Sequence, residues 1–345
     1  MVKKEYFSRL SDGREVYLYR ISNSSGDYVD VLDYGVTLYR VMMPDRNGVP
    51  GDCVLGMPDP SAVETFPFSG SVVGRCANRI AYGKCTVNGK KLELECSQRG
   101  HYLHGGSGNY QHKLFAGVPD EAGNAVNFVY EDTGEGGFGD RVAVNVRVSL
   151  DDYRRLMFEY TMTPEADTLL NPTCHAYFNL GGKGESVLNH ILTVNAAEYA
   201  VKGELEMPEG DIAGVGGTPL DFIKPHPLSA SLCREDAAEF FGERISIDDT
   251  FLLDKNGYGI AASLYDPASG RKMRVYTDMP SLIVFTIGLK RPMPGKYGLI
   301  YEGYASVCLE TQYVPNAVNC SNFDKPVFLA GESLHSRTVY AFDIE

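Results

Sequence analysis

The sequence predicts an all-β chain, a large antiparallel β-sandwich with few short helices. Three observations predict it: strict two-residue alternation of apolar side chains, tight-turn residues between short apolar runs, and scarce helical periodicity. Composition agrees, because Gly 37 and Pro 18 interrupt helices often while Tyr 22 and Phe 16 favour strands.

In chain order, the stretch from Asp59 to Thr65 is a short surface helix by composition. KCTVNGKKLEL, from Lys84 to Leu94, is a hairpin, because Asn88-Gly89 supplies the positive backbone angles of a tight turn. Val126 to Tyr130 follows as a strand. In RVAVNVRVSL, Val142, Val144, Val146 and Val148 point one way while Ala143, Asn145 and Arg147 point the other, the pattern of a half-buried strand. Met157 to Met162 and Ile191 to Val194 continue the series, and Ser229 to Phe241 is the second short helix. Tyr258 to Thr277 forms another hairpin around the turn DPASG, Asp266 to Gly270. The apolar run from Ser281 to Leu289 is about half the roughly 20 residues of a membrane-spanning helix and reads as a buried strand. Thr338 to Phe342 closes the sheet. With no βαβ alternation, linker or repeat period, residues 1–345 read as a single domain.

Charge narrows the function. With 32 Lys and Arg against 45 Asp and Glu, the net charge is −13, which repels a phosphate backbone and an anionic membrane surface alike. Nucleic acid and membrane are therefore poor partners. The N-terminal MVKKEYFSRL lacks the apolar core of a signal peptide. Eight cysteines (positions 53, 76, 85, 96, 174, 233, 308 and 320) contain no CxxC pair, which argues against a zinc knuckle or disulfide framework and suits a reducing cytoplasm.

Several motifs carry chemistry, each with a plain alternative. GEGGFG, Gly134 to Gly139, matches a dinucleotide fingerprint formally, but an alternating strand follows it where a helix would be needed, so it reads as a loop. His101 and His104 in GHYLHGG, with His112 beyond, lack the helical spacing and intervening Glu of a zinc protease; Gly105 and Gly106 set His104 at a sheet rim, suited to ligand contact. In NPTCHAYFNLGG, His175 is equally a structural histidine or a proton donor working near neutral pH. Glu310 follows an apolar run in VCLETQYVPNAVN, either as half of a buried ion pair or as a general base whose pKa burial raises. Asp248 and Asp249 in IDDTF suit a ligand hydroxyl or a turn cap equally.

The order of these motifs resembles the aldose 1-epimerases, or galactose mutarotases. The resemblance rests on GRCANRIAYGKCTVNGKKLEL (Gly74 to Leu94), LHGG (Leu103 to Gly106), GFGD (Gly137 to Asp140), NPTCHAYFNLGG (Asn171 to Gly182), IDDTF (Ile247 to Phe251) and CLETQYVPNAVN (Cys308 to Asn319). It implies a β-sandwich of the galactose mutarotase type, without metal or organic cofactor, that interconverts the α and β anomers of free hexoses such as galactose and glucose. Glu310 then looks like the general base and His175 like the general acid, while Asn78, Arg79, His104 and Asp248 look like sugar-binding residues. Asp248 is preferred over Asp249 by its distance from Phe251. The expected partner is an aldohexose, and the expected state a monomer or weak homodimer. The alternatives are a hexose-6-phosphate 1-epimerase, with basic residues around a phosphate, a non-catalytic carbohydrate-binding protein, and a glycosidase pairing Glu310 with Asp248.

The chain also departs from that family. Where many members carry GVQFYTG, this sequence has SLIVFTIG, Ser281 to Gly288, so Ile283 replaces a sugar-contacting glutamine. Pro172 and Cys174 replace residues more usual in NLTNH. SGNYQHKLF, Ser107 to Phe115, replaces a segment that usually reaches a tryptophan, and Trp is absent.

Overall fold

A computed structural model describes residues 1–66, 69–243 and 245–345, and among them three antiparallel sheets dominate. The first is a five-stranded meander in chain order from Val2–Arg9 to Pro50–Asp52. The second, nine-stranded, runs from Ala116–Asp120 through Ala125–Asp132, Val142–Leu150 and Arg155–Pro164 to the C-terminal strand Leu334–Ile344. It continues through Arg271–Thr277 and Gly259–Tyr265 to Ile191–Val194 and His226–Pro227. The third is five-stranded, in the order Pro208–Gly214, Glu198–Lys202, Asp248–Leu252, Ser281–Pro294, Ile300–Gln312.

The predicted strands are present for the reasons given. Val142, Val144, Val146 and Val148 are all buried, and Asn88 and Gly89 both take positive φ between paired strands. The Asp266 carboxylate accepts from Ala268 and Ser269 N–H, closing the predicted turn before Arg271–Thr277. The apolar run beginning at Ser281 is the strand Ser281–Pro294, and no helix among the described residues is long and apolar enough to cross a membrane.

The helices differ from expectation. Asp59 to Thr65 provides only the 3-10 turn Pro60–Ala62, with the Asp59 carboxylate accepting from Ser61 N–H. Ser229 to Phe241 divides into Ser229–Leu232 and Ala237–Phe241. Between them Arg234 pairs with Asp236 and donates to the Gly217 carbonyl, local bonds that compete with continued helix.

One apolar cluster joins the layers, with Phe128, Val146 and Phe158 from the nine-stranded sheet, Ile21 and Val29 from the first sheet, and Val284 and Leu309 from the third. The two five-stranded sheets are stitched by the segment around Phe178, which bridges Val54 on one side and Val307 on the other. Phe178 and Val307 exchange backbone hydrogen bonds of 2.9 and 3.0 Å, while Leu55 donates to Tyr177 O and Asn179 to Cys53 O, each at 2.8 Å.

A second fixed point is Arg75, only 1% exposed. Its guanidinium meets Asp132 at 2.8 Å and Asp140 at 3.2 Å, and Tyr110 Oη donates to the same Asp132 oxygen at 2.8 Å. Arg75→Leu would leave two buried carboxylates without their cation, so urea unfolding should show a loss of about 3–5 kcal/mol. A loss well under about 1 kcal/mol would show that this cluster does not anchor the loop.

Candidate active site

A concavity of about 380 Å³ opens where the third sheet, the stitching segment and the loop after Arg75 meet. Glu310, His175, Asn78, Arg79, His104 and Asp248 all line it, although their sequence positions span most of the chain.

Each side chain is aimed by local structure. Thr173–Cys174 pairs with Val72–Val73, and the His175 N–H then donates to Ser71 O at 2.9 Å, which sets the imidazole into the cavity. Glu310 lies near the end of the strand Ile300–Gln312, opposite Ile283. Two-residue alternation puts Cys308, Glu310 and Gln312 on one face, with Leu309 in the core. Asn78 and His104 hold one another: His104 Nδ1 accepts from Asn78 N–H and His104 N–H donates to Asn78 O, both at 3.1 Å. Immediately after His104 the chain turns at Gly105, φ 114°, where an added Cβ would stand 2.2 Å from Gly74 O. Arg79 lies on the two-residue strand Arg79–Ile80, and its guanidinium donates twice to Gln98 Oε1, at 3.1 and 2.8 Å.

The two neighbouring aspartates separate cleanly. Asp248 begins the strand Asp248–Leu252 and faces the cavity, while Asp249 is 3% exposed and bound to Lys202 at 3.0 Å.

At the centre, His175 Nε2 lies 3.3 Å from Glu310 Oε1. The imidazole is enclosed by Tyr177, stacked at 4.9 Å, and by the edge-on rings of His104 at 5.6 Å and Phe285 at 6.1 Å. Burial pushes His175 down to about 4 and pushes Glu310 well above the usual carboxylate range, with the Asp248 charge raising Glu310 further. Burial thus favours the neutral form of each member of the pair. Gln312, fully buried, offers its amide to the other oxygen, Oε2, at 3.4 Å. Burial also drives His104 well below its ordinary value. Because its Nδ1 already accepts a backbone N–H, the neutral ring carries its proton on Nε2, as a donor.

The other histidines of the same stretch are occupied elsewhere. His101 Nδ1 accepts from Tyr82 N–H at 3.0 Å, and His112 Nδ1 lies 3.5 Å from Tyr34 Oη. The GEGGFG segment is a loop before the strand Val142–Leu150, and its neighbour Asp140 is held by Arg75.

Sequence reasoning did not single out Ser69, Ser71, Gln98, Gln111, Tyr177 and Phe285, which also line the cavity. Tyr177 and Gln312 carried a signal, each standing two residues from a predicted site residue. Ile283 lies across from Glu310 but is 2% exposed, and the apolar wall at that end is formed by Phe285 and Tyr177.

A family model described as aldose 1-epimerase matches residues 17–341. The galactose mutarotase of Rattus norvegicus is 33% identical, over 92% of this chain and 91% of its own. The aldose 1-epimerase of Escherichia coli is 29% identical over 97% of each chain. Among solved structures, an aldose epimerase homologue from C. elegans superposes with a TM-score of 0.86 at 25% identity, over 99% of both chains. A galactose 1-epimerase from Lactobacillus acidophilus also reaches 0.86, at 22% identity, over 100% of this chain and 99% of that one.

Proposed function

The chain belongs to the aldose 1-epimerase family, and on that premise we propose that it interconverts the anomers of free aldohexoses such as galactose and glucose, with Glu310 as general base and His175 as general acid. The observation that carries the assignment is the pair itself: a carboxyl and an imidazole 3.3 Å apart in one cavity, with no Lys or Arg paired to the carboxyl among the described residues.

Opening a hemiacetal removes the proton from the C1 hydroxyl and delivers one to the ring oxygen. Those two oxygens share one carbon, so base and acid must themselves be close neighbours. When a sugar presents that edge, the single proton of the pair is placed on His175 for delivery, and Glu310 is left as carboxylate to accept the hydroxyl proton. C1 becomes an aldehyde, rotation about C1–C2 presents its other face, and both transfers reverse on closure. The pair ends as it began, because each group regains its starting state over the cycle. The reaction uses neither redox chemistry nor a covalent enzyme intermediate.

The remaining residues orient hydroxyls. His104 donates from Nε2, Asp248 accepts, and Arg79 and Asn78 supply donors at the opposite rim. A phosphorylated sugar fits less well. Among the described lining residues Arg79 is the one Lys or Arg, its guanidinium is already engaged by Gln98, and Asp248 and Glu310 face the same space. A binding-only role would leave a buried, unneutralised carboxyl next to an imidazole without purpose, at a cost that stability does not require.

Polarimetry on freshly dissolved α-D-galactose or α-D-glucose tests the reading. Glu310→Gln and His175→Gln should each lower kcat by about 10²- to 10⁴-fold with the fold intact. Undiminished turnover in Glu310→Gln would overturn the base assignment. Asp248→Asn, which keeps the shape and removes a charged acceptor, should act mainly on KM, raising it about tenfold or more. An equal fall in kcat with KM unchanged would instead place Asp248 in the chemical step.

A further inference from the structure

The acid/base pair has a third neighbour that anomer exchange does not use. Cys308 precedes Glu310 by two residues on the strand Ile300–Gln312, so its side chain leaves the same face of the sheet. A ring nitrogen of His175, the Cys308 sulfur and a Glu310 carboxylate oxygen all lie within 4.8 Å of one another. Ligands bound at roughly 2.0–2.3 Å to a tetrahedral zinc stand roughly 3.3–3.8 Å apart, so small side-chain rotations would close these three around an ion.

Three further features favour a cation there. The ligand set is imidazole, thiolate and carboxylate, the borderline-soft mixture that prefers zinc over magnesium or calcium. Burial first, and the Asp248 charge after it, hold the Cys308 thiol and the Glu310 carboxyl protonated without metal, and the same negative potential favours a cation that displaces those protons. His175 and Glu310 line the cavity, which gives an ion a path from solvent, while Cys308 is buried behind them. We propose that His175, Cys308 and Glu310 form an inhibitory site for Zn²⁺, which occupies the place of the sugar's reacting oxygens.

The inference rests on the reading of Glu310 and His175 as the acid/base pair. On binding, the Cys308 thiol and the Glu310 carboxyl each release a proton to solvent, and His175 coordinates through the lone pair of its neutral ring. The ion and the two anionic ligands then sum to no net charge, which suits a buried position. Sugar and zinc cannot be held together, because both require the same Glu310 and His175 atoms. Magnesium, which keeps its waters and prefers oxygen ligands, has little to gain at this site.

The full chain, freed of metal by chelator and dialysis, provides the test. Zn²⁺ should inhibit mutarotation competitively with galactose, while Mg²⁺ at the same concentration should not. Co²⁺ should bind in a one-to-one ratio and give a thiolate-to-cobalt charge-transfer absorption that Zn²⁺ displaces. In Cys308→Ser that absorption should vanish, and Zn²⁺ inhibition, measured against the variant's own metal-free rate, should weaken at least about tenfold. Cys308→Ala serves the same purpose if the serine variant fails to fold. Absence of inhibition, absence of the thiolate band, or equal inhibition of wild type and both variants would overturn the proposal. The cobalt spectrum does not depend on turnover, so the two readings fail separately. A persisting band with an active Glu310→Gln removes the base assignment alone, and no band with an inactive Glu310→Gln removes the metal site alone.

Discussion

The arrangement depends on the backbone of residues 171 to 179, which belongs to no single sheet. It pairs with Val72–Val73 at Thr173–Cys174, crosses to Val54 and Val307 at Phe178, and so joins two five-stranded sheets along their edges. Each of those sheets alone would leave a row of unpaired backbone groups facing the core, which is costly away from water. The segment pairs with part of each edge, at Val54 and at Val307, and in doing so fixes the distance between the first sheet and the strand Ile300–Gln312. His175 lies inside this stitch and Glu310 on the strand it grips, so the 3.3 Å separation is set mainly by backbone hydrogen bonding. On the proposed assignment, a pair acting on two oxygens of one sugar carbon needs that rigidity more than it needs any one side-chain contact.

Buried charge is handled in two distinct ways. Asp52 meets Lys296 at 2.6 Å, and Asp132 meets Arg75, each carboxylate neutralised by a permanent cation. Glu310 has no such partner among the described residues; it faces a titratable imidazole and an amide. Lys or Arg in that place would hold the carboxylate far below the working pH and make it a poor base. The choice between a structural ion pair and a general base, open from sequence, is thus narrowed by the identity of the neighbour.

Much of this was legible beforehand. Two-residue alternation located the strands, and Asn88-Gly89 located a hairpin, because both signals are local. Asp248 was separated from Asp249 by the family resemblance and not by spacing; in the structure Phe251 is fully buried in the core, so Asp249, two residues earlier, shares its inward face and Asp248 takes the other. The short helices were less legible, since segments of four or five residues are decided by local side-chain bonds such as Arg234 with Asp236 more than by propensity. Gln98, Gln111 and Ser69 were not legible at all. Ser69 and Gln98 sit on loops and Gln111 on the 3-10 turn Tyr110–His112, all brought to the cavity by distant contacts, and no spacing rule within one element reports such convergence.

Ile283 bears on the proton affinity of Glu310, its neighbour across the sheet. It pairs across the sheet with Glu310, so an amide there would stand beside the carboxyl and offer it a donor. The isoleucine offers none, and the carboxyl is left with Gln312 at 3.4 Å and His175 as its polar neighbours among the described residues. Each donor withheld from a buried carboxylate raises its proton affinity, because the charged form loses more than the neutral one. On the proposed assignment the residue at this position bears on the base, while Ile283 itself, 2% exposed, does not line the cavity. By that reading it favours the proton-holding form of Glu310 until a sugar brings its own polar edge to the pair.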